Sequence, residues 1–321
     1  MNEFQPVLNA VLPVFILTAL GAGLRRLNWL TEAADQSLLN IVINVLSPCL
    51  ILDAILHNAA LRQPANVLLP PLIGFATLSL GVVVARLFAR PAGITEPRSA
   101  RTFAAVTGIY NYGFVPLPLA MMLFDRETTG VLFVHNLGVE IAIWTVGLVT
   151  IQGLGGRIDW RKLINAPLVA IVLALGLNAA GLGEQLPAFA LKSFEMLGQC
   201  AIPMMILLVG ATIYDRMHEF HAGYGVRVMA TACIVRLGLL PLLFLLLARY
   251  LPCSVELKRV IILQAAMPAA IFPIVMARHY GGDTATALRV VIGTSAVAFL
   301  TIPLWIRFGL QFAGVTEITS R

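Results

Sequence analysis

Two apolar segments of the chain carry prolines, glycines and uncharged amides in a pattern that favours a binding site inside a membrane. The first segment reads TGIYNYGFVPLPLA from Thr107, and the second reads LQAAMPAAIFPIVMARHYGGD from Leu263. Proline removes a backbone donor and clashes with the preceding helical turn, so both helices are predicted to break and to free backbone groups at membrane depth. A pair of such interrupted spans in two halves of a chain points to the substrate site of a transporter. The residues that define the breaks are Asn111, Gly113, Pro116 and Pro118 in the first segment and Gln264, Pro268, Pro273 and Gly281 in the second.

Asn111 lies where the chain is expected to leave helical geometry, five positions before the first proline of its segment. Its side-chain amide can donate hydrogen bonds to a substrate carboxylate, or it can satisfy backbone groups that the break frees. Tyr110 and Tyr112 flank it, and because one of them must face away, at most one is expected to line a cavity. Gly108 and Gly113 are predicted to allow the close approach of a crossing chain.

In the second segment, Gln264 and Met267 precede Pro268. The half-helices that follow the two breaks would direct the positive ends of their dipoles at an anion, so the expected substrate is a small organic anion that needs no lysine to bind it. Gln264 has an alternative role, because a single amide in a membrane helix often holds two helices together. The candidate substrate-binding residues are Tyr110, Asn111, Tyr112, Gly113, Pro116, Gln264, Met267 and Pro268.

Glu140 is the leading candidate for a titratable group inside the membrane, and it lies near Asn136 and His135 in sequence. A carboxylate at membrane depth is costly unless it is paired, hydrated or protonated, so such residues are functional hypotheses by default. Glu140, with Asn136 beside it, is therefore a candidate for coupling transport to a proton. The alternative is a structural ion pair between Glu140 and Arg236.

Three further groups of polar residues have more than one interpretation. Asn40 and Asn44 lie one helical turn apart on one face, where they line the cavity or bond to a neighbouring helix. Asp53 and His57 have the same spacing and are expected to form a partly hydrated ion pair. Asp283 closes the YGGD sequence and is expected to cap a helix or to lie in a turn on the cytoplasmic side.

The composition places the chain in a lipid bilayer. Hydrophobic residues make up 59% of the 321 residues and charged residues 12%, whereas a soluble domain has about 25% charged residues. The fold class expected is an all-α polytopic membrane protein with about ten spans, each long enough to cross about 30 Å of hydrocarbon. The predicted spans are 5–24, 36–56, 66–89, 102–124, 129–151, 165–182, 190–214, 225–250, 257–279 and 286–311.

The net charge of +6 does not indicate nucleic acid, because the basic residues concentrate in alternating loops. By the positive-inside rule, the richer set of loops is cytoplasmic and both termini lie outside. The expected location is the plasma membrane, the inner membrane of a bacterium, with the first span retained as a helix. The four cysteines form no CxxC pair, and the scattered histidines predict no metal site.

The chain divides at a basic, glycine-rich connector into two halves of five spans, so the second half is inverted. The predicted units are 1–151, the connector 152–164 and 165–321. Proline positions support the division: Pro48 precedes Pro116 by 68 positions, and Pro203 precedes Pro268 by 65. Pro48 and Pro203 are themselves candidate cavity or packing residues.

Several segments together resemble the auxin efflux carrier family, which includes malate and malonate carriers and the plant PIN-type auxin exporters. The segments are Pro48, NYGFVPLPLA from Asn111, AIPMMILLVGA from Ala201, RLGLLP from Arg236 and MPAAIFPIVMARHYGGD from Met267.

The resemblance implies ten spans in two inverted repeats, with spans four and nine crossing at their broken centres. It also implies that a mobile group moves against a scaffold group in an elevator-like motion, and that Asn111 belongs to the substrate site. A homodimer through the scaffold fits the resemblance. The short connector favours a bacterial-type member over the plant exporters.

Three functions are compatible with these features. The leading one is a secondary carrier for a small organic anion such as a dicarboxylate or an auxin-like acid. A sodium-coupled symporter of the bile-acid type shares the crossed helices, but Glu140, Asn136 and Gln264 supply few oxygen ligands for sodium. A membrane sensor that does not transport its ligand would normally need an output domain. The sequence predicts no enzyme and no cofactor, because it lacks a nucleophile, a metal motif and a nucleotide-binding motif.

Overall fold

The computed structural model describes residues 4–153, 163–218 and 225–315, and helices form most of this part of the chain. The predicted connector at 152–164 lies largely outside the described residues. The helices are α1 Phe4–Arg26, α2 Glu32–Ile41, α3 Ser47–Leu56, α4 Ala65–Leu87, α5 Pro97–Gly108, α6 Pro116–Leu123, α7 Arg126–Ala142, α8 Leu148–Gln152, α9 Ala166–Ala179, α10 Ala188–His218, α11 Val226–Ile234, α12 Leu240–Tyr250, α13 Val255–Ala266, α14 Phe272–His279 and α15 Thr284–Ala313.

Seven helical stretches are long and apolar enough to cross a membrane, and α9 is a shorter apolar helix. Leucine, isoleucine and valine are exposed along many of these stretches, as expected where lipid covers the surface. The protein is therefore a multi-pass membrane protein. The seven stretches are Val7–Arg26, Glu32–Leu56, Ala65–Leu87, Arg126–Gln152, Ala188–Asp215, Val226–Tyr250 and Thr284–Ala313.

Two regions have a different pattern, in which a 12-residue helix is followed by a linker and an 8-residue helix. Helices α5 and α6 flank the linker 109–115, and α13 and α14 flank the linker 267–271. Pro116 is the first residue of α6 and Pro273 the second residue of α14, positions where the missing N–H of proline costs no helical hydrogen bond.

Three of the long stretches contain a π-helical turn, which the sequence analysis did not predict. The turns are Val42–Leu46, Ile143–Gly147 and Val235–Leu239. Two of them end two residues before a proline, Pro48 or Pro241, whose ring clashes with the carbonyl group four residues earlier. For Pro241 that carbonyl belongs to Leu237, and the indole N–H of Trp305 donates to it at 2.7 Å. The wider turn therefore accommodates the proline without leaving this carbonyl unpaired.

Glycines allow two pairs of helices to pack closely. A Cβ atom on Gly138 of α7 would lie 1.7 Å from the carbonyl oxygen of Pro71 in α4, and one on Gly74 would lie 2.3 Å from that of His135. Helices α1 and α10 pack in the same way at Gly210, where a Cβ would lie 2.0 Å from the Thr18 carbonyl oxygen. Small residues are typical of membrane helix interfaces, because they let backbones approach each other.

One expected ion pair is replaced by another. The Asp53 carboxylate pairs with Arg126 at 2.9 Å, and Arg126 also donates to the Asp53 carbonyl group. The close partner of Asp53 is thus Arg126 rather than His57, although His57 also interacts electrostatically with this carboxylate, because the start of α7 brings a permanently charged guanidinium to the end of α3.

Candidate functional site

The two linkers lie side by side and pair through their backbones. Tyr110 and Ala269 form an antiparallel bridge. The Asn111 N–H donates to the Pro268 carbonyl at 2.8 Å, and the Ala270 N–H donates to the Ile109 carbonyl at 2.9 Å. Backbone groups of each linker are thus satisfied by the opposite linker, which brings the ends of four helices together.

Three side-chain amides surround this pairing. The Asn136 side-chain N–H donates to the Tyr112 carbonyl at 2.9 Å, and that of Gln264 donates to the same carbonyl at 3.2 Å. Gln264 also donates to the Asn136 side-chain oxygen at 3.2 Å. We call Asn111, Asn136 and Gln264 the amide cluster. Its members are all at least nine-tenths buried, and the Gln264 side-chain oxygen has no partner in the described chain.

Asn111 performs one of the two roles expected from its position. Its side-chain oxygen accepts from the N–H of Val115 at 3.4 Å, immediately before α6 begins. Asn111 therefore helps to satisfy the interrupted backbone, while its contact with a substrate stays a prediction.

The two tyrosines beside Asn111 face different surroundings, as their spacing predicts. Tyr110 is fully buried, with its hydroxyl 3.0 Å from that of Thr77 in α4 and its ring edge-on to Phe244. Tyr112 is partly exposed and donates its hydroxyl to Glu140 at 2.5 Å. Of the pair, Tyr112 is thus the less buried residue.

Glu140 is held by neutral donors. One carboxylate oxygen accepts from Tyr112, and the other accepts from the indole N–H of Trp144 at 3.0 Å. The Trp144 ring contacts Phe272 edge-on at 5.7 Å. Glu140 is therefore connected to both helix–linker–helix regions, 97–123 and 255–279, which we call the interrupted regions. The alternative ion pair between Glu140 and Arg236 is wrong, because Arg236 instead contacts backbone carbonyls and aromatic rings.

The two glycines of the first segment do not have the expected role. Gly108 packs against Val82 of α4, where a Cβ would lie 2.4 Å from the Val82 nitrogen, and Gly113 has open space within 4 Å of its Cβ position. The backbone pairing with the second linker involves residues 109–111, which lie between these two glycines. Gly113, with open space at its Cβ position, follows Asn111 by two residues.

The remaining candidates are distributed as follows. Met267 and Pro268 are buried in the second linker and Pro116 is buried at the start of α6. Asn40 and Asn44 are exposed on the helix surface, where the Asn44 side chain donates to the Asn40 carbonyl at 3.0 Å. Pro48 is partly buried and Pro203 is exposed.

Aspartates cap the helices that follow both interrupted regions. Asp283 accepts from the N–H groups of Ala285 and Thr286, so the predicted cap is confirmed. Asp125 caps α7 through the Thr128 N–H and pairs with Arg259 of α13 at 2.6 Å. Burial raises the pKa of Asp125, but hydrogen bonds from Thr128 and the Arg259 charge outweigh it, so this pKa lies below its ordinary value.

Sequence reasoning missed two hydroxyl groups that support the linkers. The Thr77 hydroxyl bonds to Tyr110, and the Thr294 hydroxyl of α15 accepts from the Ala269 N–H at 3.2 Å. Threonine is common in membrane helices, so the sequence carries no signal that separates these two from the others. Within the described ranges, no group of three histidine, cysteine, aspartate or glutamate side chains is placed to hold a metal ion.

Comparison with known proteins shows the family of the chain. The chain matches the family described as membrane transport protein in two overlapping segments, residues 6–160 and 154–306. It is 27% identical to an uncharacterized transporter of Methanothermobacter thermautotrophicus over 94% of this chain and 98% of the relative. It is 23% identical to an uncharacterized transporter of Methanocaldococcus jannaschii over 93% of this chain and 97% of that relative.

The chain belongs to the membrane transport protein family, the auxin efflux carrier family that the sequence motifs resemble. It is a transporter rather than an enzyme. Both relatives are archaeal, so they do not support the expectation of a bacterial type.

Proposed function

We propose that this transporter is a secondary carrier for a small organic anion, such as a dicarboxylate or an auxin-like acid. The observation that carries the proposal is the backbone pairing of the two linkers, which brings the amide cluster beside the crossing and places the start of one short helix on each side of it. Helix N-termini favour negative charge, and amide N–H groups donate to carboxylates. No heavy atom lies within 4 Å of the Gly113 Cβ position, so the first linker is open on this side.

The proposed architecture has ten spans in two inverted five-helix repeats. Each interrupted pair counts as one span, since 20 helical residues reach about 30 Å at 1.5 Å per residue. The equal helix lengths of the two pairs support the repeat. So do the caps that follow them, because Asp125 and Asp283 each accept from the N–H of a threonine three residues later.

Helix packing supports alternating access of the elevator type. Helices α1, α3, α9 and α10 contact one another extensively, and a second set contains α4, α5, α7, α13 and α15. Both interrupted regions belong with the second set, which we propose as the moving group, and the first set is the proposed scaffold. A homodimer through the scaffold and a plasma-membrane location with both termini outside complete the proposal.

Proton coupling through Glu140 forms part of the proposal. Among the described residues, its hydrogen-bond partners are Tyr112 and Trp144, which are neutral donors. Protonation would weaken both hydrogen bonds and so change the contacts between α7 and the two linkers.

Uptake by the purified protein in liposomes tests the proposal. Labelled dicarboxylates and indole-3-acetate are supplied with and without proton or sodium gradients, to wild type and to Asn111→Ala. We expect wild-type uptake and a loss of about tenfold or more in the variant, the size of one hydrogen bond to a charged group. Gln199→Ala is the control, because Gln199 is an exposed amide on α10 and should not alter uptake. Absence of uptake for every anion and gradient would refute the anion-carrier proposal.

A further inference from the structure

Arg236 is a buried cation without a carboxylate partner. Its side chain has 0% exposure within the π-helical turn Val235–Leu239, and no carboxylate of the described chain lies within 4 Å of it. Two of its nitrogens, Nε and Nη1, have no hydrogen-bond partner there. Its guanidinium carbon lies 5.2 Å from the ring centroids of both Tyr110 and Phe244. Aromatic faces attract a cation but do not neutralise its charge.

The remaining nitrogen of Arg236 faces the C-terminal end of α13. Nη2 lies 3.5 Å from the Gln264 carbonyl oxygen and 3.4 Å from that of Ala265, the last carbonyls before α13 ends at Ala266. The Gln264 carbonyl also accepts from the Met267 N–H at 3.3 Å, and the last carbonyl groups of a helix carry the negative end of its dipole. The guanidinium thus stands against the negative end of an interrupted membrane helix.

This position has a known use in transporters. Carriers driven by cations coordinate the ion with unwound backbone and with the C-terminal ends of half-helices. A guanidinium is permanently charged, so it supplies one positive charge in every state of the protein. A second cation at the same carbonyls would meet direct repulsion from it.

We infer that Arg236 is a built-in cation that occupies the place where a sodium-driven carrier would bind its ion at the end of α13. The protein therefore needs no metal cation at the crossing, and the fixed charge adds to the positive helix ends that favour an anion. This inference rests on the proposed carrier function, and it specifies the coupling by excluding sodium from this position.

Thermal unfolding of the purified protein tests the inference without a substrate. Melting temperatures are measured in sodium, lithium or potassium chloride and compared with choline chloride at matched ionic strength. We expect no difference for wild type. For Arg236→Ala, which leaves the carbonyls without a cation, we expect a lower melting temperature in choline and a rise of about 2 °C or more with a small cation.

Two other variants control for structure. Arg249→Ala removes an arginine that also contacts an aromatic ring, Phe312, and a backbone carbonyl, but at the exposed end of α12. It should show no specific response to cations. Arg236→Lys retains the positive charge, so it should also lack the response, which separates charge from packing.

The outcomes are distinct. A wild-type melting temperature that rises with sodium, or an Arg236→Ala protein indifferent to every small cation, would overturn the inference. If Arg236→Ala does not fold, Arg236→Gln replaces it, and sodium-dependent uptake by wild type still decides against the inference. Sodium-dependent uptake that Asn111→Ala abolishes would retain the carrier function and refute the role of Arg236. The expected cation responses without any anion uptake would support the role of Arg236 and refute the anion-carrier function.

Discussion

Gly138 offers a sharp test of how α7 is held against α4. A Cβ at this position would lie 1.7 Å from the Pro71 carbonyl oxygen, whereas ordinary contact begins at 3.4 Å. In Gly138→Ala, one of the two helices must therefore move by roughly the difference, about 1.7 Å. Because α7 also carries Asn136 and Glu140, this movement would stretch the hydrogen bonds that connect α7 to Tyr112.

The expected loss in the free energy of unfolding follows from the size of this displacement. Overpacking by a methyl group typically destabilises a protein by about 1–3 kcal/mol, and here the obstacle is backbone that has no rotamer to change. For a protein of this size, we expect the melting temperature to fall by about 1.5–4.5 °C. The measurement is thermal unfolding in detergent, followed by anion uptake of the folded fraction in liposomes.

Gly176→Ala in α9 is the matched control, because its Cβ position has nothing within 4 Å. Alanine is the better helix former by about 1 kcal/mol, so this variant should be neutral or more stable than wild type. If Gly138→Ala melted and transported like wild type while Gly176→Ala was also unchanged, the close approach of α4 and α7 would be refuted.

Two other predictions concern charge. Glu140→Gln should abolish the dependence of uptake on an imposed pH gradient, because the side chain can no longer take up a proton; unchanged uptake and unchanged pH dependence would end the coupling hypothesis. Asp125→Asn keeps the helix cap but loses the ion pair with Arg259, worth about 0.5–1 kcal/mol after solvent screening. Since the pKa of Asp125 is lowered in the folded protein, its contribution is present at neutral pH and is lost as the pH falls below about 4. The difference in melting temperature between wild type and this variant should therefore shrink from pH 7 to pH 3, and a constant difference would contradict the assignment.

Local sequence determined the features that depend on one stretch of chain. Long apolar runs require membrane helices because the bilayer cannot satisfy an open backbone. Pro116 and Pro268 mark the regions where helical geometry stops, and Asp283 was recognisable as a cap from the turn that precedes it. The amides Asn111 and Gln264 stood out because uncharged polar side chains are conspicuous beside prolines in an apolar run.

Tertiary structure decided which of these residues meet. Nothing in the local pattern pairs Glu140 with Tyr112 and Trp144 instead of Arg236, or places Arg236 at the end of α13. Those contacts depend on the direction in which each side chain points around its helix axis, and the π-helical turns change that direction for all residues that follow them. A single extra residue in a turn shifts every later side chain by about 100° around the helix. Sequence therefore specifies the helices and their interruptions, whereas the packing of glycine-lined helices selects the partners of each buried polar group.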